Sequence, residues 1–186
     1  TGGAVGYFTS PAAAGGKIFV AGGGSESNLL CIDAATHTAA WSAALPAAVK
    51  STPAIGDGKV YVTTAEHLYA LDASTGAEVW NASLGGTSST PAVAGETVIA
   101  GSSDGLHAYD AGTGTLLWDF PGAWVGVSPV VAGNLAYAAT NERTGTVYAV
   151  DTRTGEEVWS YTLEAPGDGT FAAFYASSPA VSDGVL

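Results

Sequence analysis

Any chemistry in this chain must come from a short inventory: one Cys, three His, five Lys or Arg and 17 Asp or Glu in 186 residues. The single cysteine, Cys31, rules out an internal disulfide framework and a multi-cysteine zinc site. As a nucleophile it would need an electropositive setting to form its thiolate, and almost no basic residue stands near it in sequence. His37, His67 and His107 lack metal-ligand spacing. The carboxylates are numerous enough to pair as acid and base or to hold calcium. However, no Asp-x-Asp-x-Asp-Gly loop occurs, and Asp57, Asp104 and Asp183 each precede a glycine in a turn-type dipeptide. No Gly-rich loop links a strand to a helix and so cradles phosphate, and no nucleophile elbow is expected. Scattered Ser and Thr identify no nucleophile–base pair, so the expectation is no catalytic residue and no metal site.

What positions these residues is a repeat. Trp41, Trp80, Trp118 and Trp159 are spaced by 39, 38 and 41 residues, and each follows an aspartate by eight: Asp33, Asp72, Asp110 and Asp151. Gly76, Gly114 and Gly155 stand four residues after their aspartates, where the first unit has His37. Ser10-Pro11, Thr52-Pro53, Thr90-Pro91 and Ser128-Pro129 open the units, and Ser178-Pro179 opens a fifth. In the second unit, Pro53–Ile55, Lys59–Thr63, His67–Leu71 and the segment entered at Glu78-Val-Trp80 read as four short strands, rich in β-branched and aromatic residues and separated by turn residues. Four strands at a period near 40 predict an all-β fold, a β-propeller of four-stranded antiparallel blades. The repeats run approximately over 10–48, 51–87, 89–125, 127–176 and an incomplete 178–186.

The aspartate at each strand end should accept hydrogen bonds from its turn, and the glycine should supply φ > 0. His37 is expected to make the first such turn weaker or differently shaped. Cys31 aligns with Ala70, Ala108 and Ala149, which makes it a buried structural thiol in a small-residue slot. His37 is a turn residue, His67 aligns with Gly105, and His107 aligns with Tyr69 and Tyr148, so the three do not share a face.

Composition narrows the partners. A formal net charge of −12 argues against nucleic acid and against anionic lipid, both of which call for a basic face. No apolar run approaches the length of a membrane helix, so direct membrane insertion is not expected. Thr1-Gly2-Gly3 opens the chain without Met, a basic segment or a signal-like apolar stretch, as a mature or trimmed fragment would.

The run Tyr69-Ala-Leu-Asp-Ala-Ser-Thr-Gly76-Ala-Glu-Val-Trp80, with its counterparts in the other units, resembles the pyrroloquinoline-quinone-like (PQQ-like) propeller repeat. The resemblance implies that Trp41, Trp80, Trp118 and Trp159 each dock against a neighbouring blade. It implies a ring of seven or eight blades, of which this chain holds four complete units and the start of another. An open set of blades invites self-association that completes the ring. The resemblance also brings in quinone-dependent dehydrogenases, with quinone and Ca²⁺ near the propeller axis, and an outer-membrane lipoprotein that docks on the β-barrel insertion machinery. The adjacent cysteine pair of the alcohol-oxidising branch is absent. The function expected is a non-catalytic, protein-binding or scaffolding module without a cofactor, located at an extracellular, cell-surface or periplasmic site. Departures from the repeat are the candidate partner contacts: Trp124, the one tryptophan off the period, and Phe171, Phe174 and Tyr175 in the non-repeating segment 161–176, which also carries Glu164 and Asp168. The insertion at 141–145 reads as an extended hairpin tip.

Overall fold

The computed structural model describes residues 9–22, 27–86, 89–122, 128–140 and 145–163. The chain divides into two compact units, Thr1–Pro91 and Ala92–Leu186. Unit one holds two four-stranded sheets. The first is β1 (Ala12–Ala14), β2 (Lys17–Ala21), β3 (Asn28–Asp33) and β4 (Ala39–Ala44); the second is β5 (Ala54–Gly56), β6 (Lys59–Thr63), β7 (His67–Asp72) and β8 (Glu78–Ser83). Unit two repeats the plan with β9 (Ala92–Ala94), β10 (Thr97–Gly101), β11 (Gly105–Asp110) and β12 (Leu116–Pro121), then β13 (Val130–Ala132), β14 (Leu135–Ala139), β15 (Thr146–Asp151) and β16 (Glu157–Thr162). Each sheet is an antiparallel meander in chain order. These are propeller blades, and all regular structure among the described residues is β.

Turn chemistry sets the register. Asp57 and Gly58 both take positive φ (48° and 69°), the conformation of a tight two-residue hairpin. At the third hairpin of every blade the aspartate Oδ1 accepts three bonds, from the N–H groups two and three residues on and from a threonine hydroxyl, at 2.8–3.4 Å. The fourth residue of the turn then donates its N–H back to the aspartate carbonyl at 2.8–2.9 Å. His37 does this as well as glycine does. Its φ is 59°, its N–H reaches the Asp33 carbonyl at 2.9 Å, and Asp33 caps its turn like the other aspartates. The first turn is therefore not reshaped: histidine is among the side chains that tolerate this region, and three accepted bonds hold it there.

One row of side chains crosses each blade and explains its residue types. In the first blade the row is Ala12, Phe19, Cys31 and Trp41; in the second, Ala54, Tyr61, Ala70 and Trp80. The third has Ala92, Ile99, Ala108 and Trp118, and the fourth Val130, Tyr137, Ala149 and Trp159. Directly opposed residues share a face, so a small third-strand residue lets the large second-strand side chain lean across to the tryptophan. Ring centroids meet at 5.9 Å in Phe19–Trp41, Tyr61–Trp80 and Tyr137–Trp159. Cys31 is fully buried in this small slot, and burial pushes its thiol up. Filling the slot with a thiol rather than a methyl is a minor change of volume.

The register slips by one residue just before every tryptophan. Ala40, Val79, Leu117 and Val158 are the extra residues, each on a fourth strand and each exposed. Such a bulge bends the strand and redirects the side chain that follows.

Candidate functional site

Two of the four repeated tryptophans have a complete seat within their unit. Trp41 lies over Gly76 of the second blade and donates its Nε1–H to the Ala73 carbonyl at 3.2 Å. Trp118 lies over Gly155 of the fourth blade and donates to the Thr152 carbonyl at 2.9 Å. A Cβ on Gly76 would stand 2.5 Å from Trp41, and one on Gly155 would stand 2.7 Å from Trp118, so only glycine fits beneath the indole. Lys17 adds a second bond to the same acceptor, its Nζ reaching the Ala73 carbonyl at 3.0 Å. Trp80 is buried beside Tyr61. Trp159 keeps 37% of its surface exposed, next to the exposed Val158 and Tyr161.

A second set of blade-to-blade bonds uses hydroxyls that the sequence reading left without a role. The Ser10 N–H donates to Thr52 Oγ1 at 3.1 Å, and the Thr52 N–H donates to Thr90 Oγ1 at 3.2 Å. The Ser/Thr-Pro element thus links each blade entrance to the next within unit one. Proline follows because it fixes the extended entry and needs no partner for its own nitrogen. Its regular recurrence before a proline was the signal available in the sequence.

The turn aspartates are electrostatically tuned for capping. Asp33 is held below the usual carboxylate range first by the Thr36 backbone N–H, Asp72 first by the Thr75 hydroxyl, and Asp151 first by the Arg153 backbone N–H. Their oxygens are engaged by the turn, which assigns Asp33, Asp72, Asp110 and Asp151 to hairpin closure.

One cluster with the composition of a hydrolytic triad does form. Ser102, Asp104 and His107 meet at the β10–β11 hairpin; the first two lie within Gly101-Ser-Ser-Asp-Gly105, a string that spells Gly-x-Ser-x-Gly with Ser103, not Ser102, at its centre. Ser102 Oγ bonds Asp104 Oδ1 and lies 2.9 Å from His107 Nε2, and that same Nε2 is 3.3 Å from Asp104 Oδ1. In a working triad the imidazole bridges serine and carboxylate through its two different nitrogens. Here both partners share one nitrogen, Ser102 is fully buried, and its hydroxyl holds the Asp104 carboxyl below the usual range. The string also joins two strands rather than a strand and a helix, so it is no nucleophile elbow. The cluster closes a hairpin in which a Cβ on Gly105 would fall on the Phe120 carbonyl. The i, i+2, i+5 spacing across a hairpin was the signal for it, invisible until the turn was placed. Desolvation, with Asp104 nearby, pushes the neighbouring Tyr109 up to about 12.

The remaining histidines stay apart. His37 closes its turn through its backbone N–H, and the His67 ring lies tilted against Tyr69 at 5.8 Å beside a cleft of about 340 Å³ that Pro46 and Glu66 also line. A notch of about 310 Å³ lies between Asn134 and the Asp151-Thr152-Arg153 turn. Among the described residues no group of three or more His, Cys, Asp or Glu is placed to hold a metal. Trp124, Phe171, Phe174 and Tyr175 lie outside the described residues, as do Glu164, Asp168 and the tip at 141–144.

The first strands of neighbouring blades approach one another, β1 with β5 and β9 with β13, and so form the inner edges. They contribute only Ala, Val, Ile and Gly side chains. Calcium takes six to eight oxygen ligands, carboxylates foremost, and an axial quinone needs polar partners. These strands offer no side-chain oxygen and do not fit either group.

Comparison with known proteins places the fold. The family model described as outer membrane protein assembly factor BamB matches residues 2–120 and 103–186. BamB from Moraxella catarrhalis is similar in structure, with a TM-score of 0.60 and 24% identity over 79% of this chain and 58% of that one. The quinohemoprotein alcohol dehydrogenase ADHIIG from Pseudomonas putida HK5 has a TM-score of 0.74 at 21% identity, over 89% of this chain and 35% of that one. The quinohemoprotein alcohol dehydrogenase from Comamonas testosteroni has a TM-score of 0.72 at 22% identity, over 89% of this chain and 36% of that one. This chain therefore spans between a third and three-fifths of these solved structures. No curated protein matches the sequence. With four blades of one repeated plan and a family match over almost its whole length, the chain belongs to the PQQ-repeat propeller family described as outer membrane protein assembly factor BamB.

Proposed function

We propose that this chain serves as a non-catalytic, protein-binding or scaffolding module at the periplasmic or cell-surface side of an envelope. The observation that carries this reading is the make-up of the inner edges: where dehydrogenases of this fold would hold a quinone and calcium, the four first strands carry only aliphatic side chains and glycine. The Oδ1 atoms of the turn aspartates close their own hairpins, and the Ser102–Asp104–His107 cluster is wired as a hairpin clasp. The test is to add PQQ and Ca²⁺ to the protein, follow the quinone absorbance, and assay dye-linked oxidation of alcohols and sugars. The reading expects no quinone-dependent dye reduction; turnover that requires the quinone overturns it.

A second reading is narrower and draws on the family match: a factor in the assembly of outer membrane proteins. It expects direct binding to a component of the β-barrel insertion machinery in a purified titration, with residues 161–176 and Trp124 as contacts. A fragment of a quinone-dependent dehydrogenase is supported by likeness of fold, and the inner edges speak against it.

A further inference from the structure

The cleft beside His67 departs from the repeat in its distinctive parts. Pro46 and Ala47, which follow the first blade, line about 340 Å³ together with Thr64, Glu66, His67 and Tyr69 around the β6–β7 hairpin. In the fourth blade the places of Glu66 and His67, six and five residues before the aspartate, hold Gly145 and Thr146. The place of Tyr69 holds Tyr148, and Phe120 of the third blade lies edge-on to that ring at 5.3 Å. The first blade has Ala43 where the third has Phe120, ten residues after the aspartate, and Ala43 packs against the same buried cluster as Tyr69. The first pair of blades is thus one aromatic ring short, and it carries an exposed carboxylate and a half-buried imidazole in the cleft.

Two groups in this cleft have polar capacity left over. Tyr69 is 4% exposed, yet its hydroxyl makes no hydrogen bond among the described residues. Buried hydroxyls are rarely left so, and each exception calls for a partner. The Glu66 carboxylate makes no ion pair or hydrogen bond among the described residues either. Its backbone is engaged, the carbonyl accepting the Leu84 N–H at 2.8 Å. The Tyr69 and His67 rings lie beside each other, tilted by 38°. A ligand suited to all of these is long enough to reach a buried oxygen, cationic beside a carboxylate, and flat beside the rings. An arginine side chain meets these terms, with a planar fork of N–H donors, a fixed charge and a face that stacks on aromatic rings. Lysine brings the charge without the face. The whole chain, at a net charge of −12 with five Lys or Arg, attracts basic segments. We propose that this cleft takes an arginine side chain of a basic protein partner, the guanidinium bonded to Glu66 and to the Tyr69 hydroxyl and laid against His67. The inference rests on the protein-binding reading and gives that partner a chemistry.

The probe is acetyl-Ser-Arg-Ser-amide, titrated at low salt into the isotope-labelled 186-residue chain and followed by the shifts of its amide resonances. A second probe carries citrulline in place of arginine, which keeps the shape and removes the charge. The shifts should centre on Glu66, His67 and Tyr69, and the citrulline probe should bind about fivefold more weakly. Glu66→Gln should weaken binding of the arginine probe by about the same factor, and Tyr69→Phe, which keeps the ring, by about threefold. Glu96→Gln removes an exposed carboxylate from the β9–β10 hairpin and should change nothing. The proposal is overturned if no shifts appear or they fall elsewhere, if citrulline binds as well as arginine, or if Tyr69→Phe binds as tightly as the unchanged chain. It is also overturned if Glu96→Gln costs as much as Glu66→Gln, the mark of attraction to an acidic surface at large. Quinone-dependent turnover would overturn the protein-binding reading itself, whereas no turnover together with no arginine binding would overturn the cleft alone.

Discussion

The turn at Asp33–His37 and the turn at Asp72–Gly76 have the same backbone and different surroundings. Both aspartates accept the same three bonds, and both fourth residues lie at positive φ. Among the described contacts, the second carries the Trp41 indole over Gly76. The difference separates two jobs that one motif performs. Closing the hairpin needs a residue that tolerates the left-handed region, and histidine suffices. Receiving a tryptophan needs a residue with no side chain, and only glycine suffices. The Asp-x-x-Thr-Gly string is thus a hairpin signal and a packing signal at once, and the first blade shows the first without the second.

The largest effect should come from removing an indole from a complete seat. Trp118 is 8% exposed, so Trp118→Ala should cost about 3–5 kcal/mol in chemical denaturation. Trp159→Ala, at 37% exposure, should cost well under half of that. Equal losses for the two would break the distinction between a seated and an open tryptophan.

Next comes Gly155→Ala. Left-handed strain of about 1–2 kcal/mol adds to overpacking of about 1–3 kcal/mol against Trp118, for a loss of about 2–5 kcal/mol. The reciprocal change, His37→Gly, should raise stability by no more than about 1 kcal/mol, because strain is relieved but no packing is gained. A loss of stability there would mean that the imidazole makes a contact that the turn needs.

Between these lies the hydroxyl link. Thr52→Val deletes the acceptor of the Ser10 N–H and should cost about 1 kcal/mol, seen as a lower denaturation midpoint with unchanged slope. It should leave both tryptophan seats intact.

The smallest effect is on acid stability. Asp33, Asp72 and Asp151 have folded values below their unfolded ones. Their contribution is full above about pH 4 and is lost as pH falls through the lowered folded values. Because these carboxylates are exposed, the loss should be gradual, read as a falling Tm between pH 5 and pH 2, both approximate bounds. Asp72→Asn should flatten that slope and leave the Tm near neutral pH less affected than Trp118→Ala does.

Much of this architecture was legible because period, turn residues and strand composition are local signals. Pro53–Ile55, Lys59–Thr63 and His67–Leu71 match β5, β6 and β7 within a residue or two. Cys31 was placed by alignment with Ala70, Ala108 and Ala149, and its fully buried slot between Phe19 and Trp41 gives the reason. The bulges at Ala40, Val79, Leu117 and Val158 were not legible. Eight residues from aspartate to tryptophan fit a regular strand as well as a bulged one, and only the opposing strand reveals the extra residue. The Ser102–Asp104–His107 cluster was hidden for a similar reason, since its members touch across a hairpin whose turn had first to be fixed. For the function the limit is different: the residues that identify the repeat build the blades, so they say little about what the blades bind.

The central claim is that glycine is required at this turn because of the indole above it. The direct measurement is the cost of Gly155→Ala in two backgrounds, the unchanged chain and Trp118→Ala, by chemical denaturation. With the indole gone the overpacking vanishes, so the cost should fall to the left-handed strain alone, about 1–2 kcal/mol. The same cost in both backgrounds would contradict the account, because Gly155 would then serve its own turn and not Trp118.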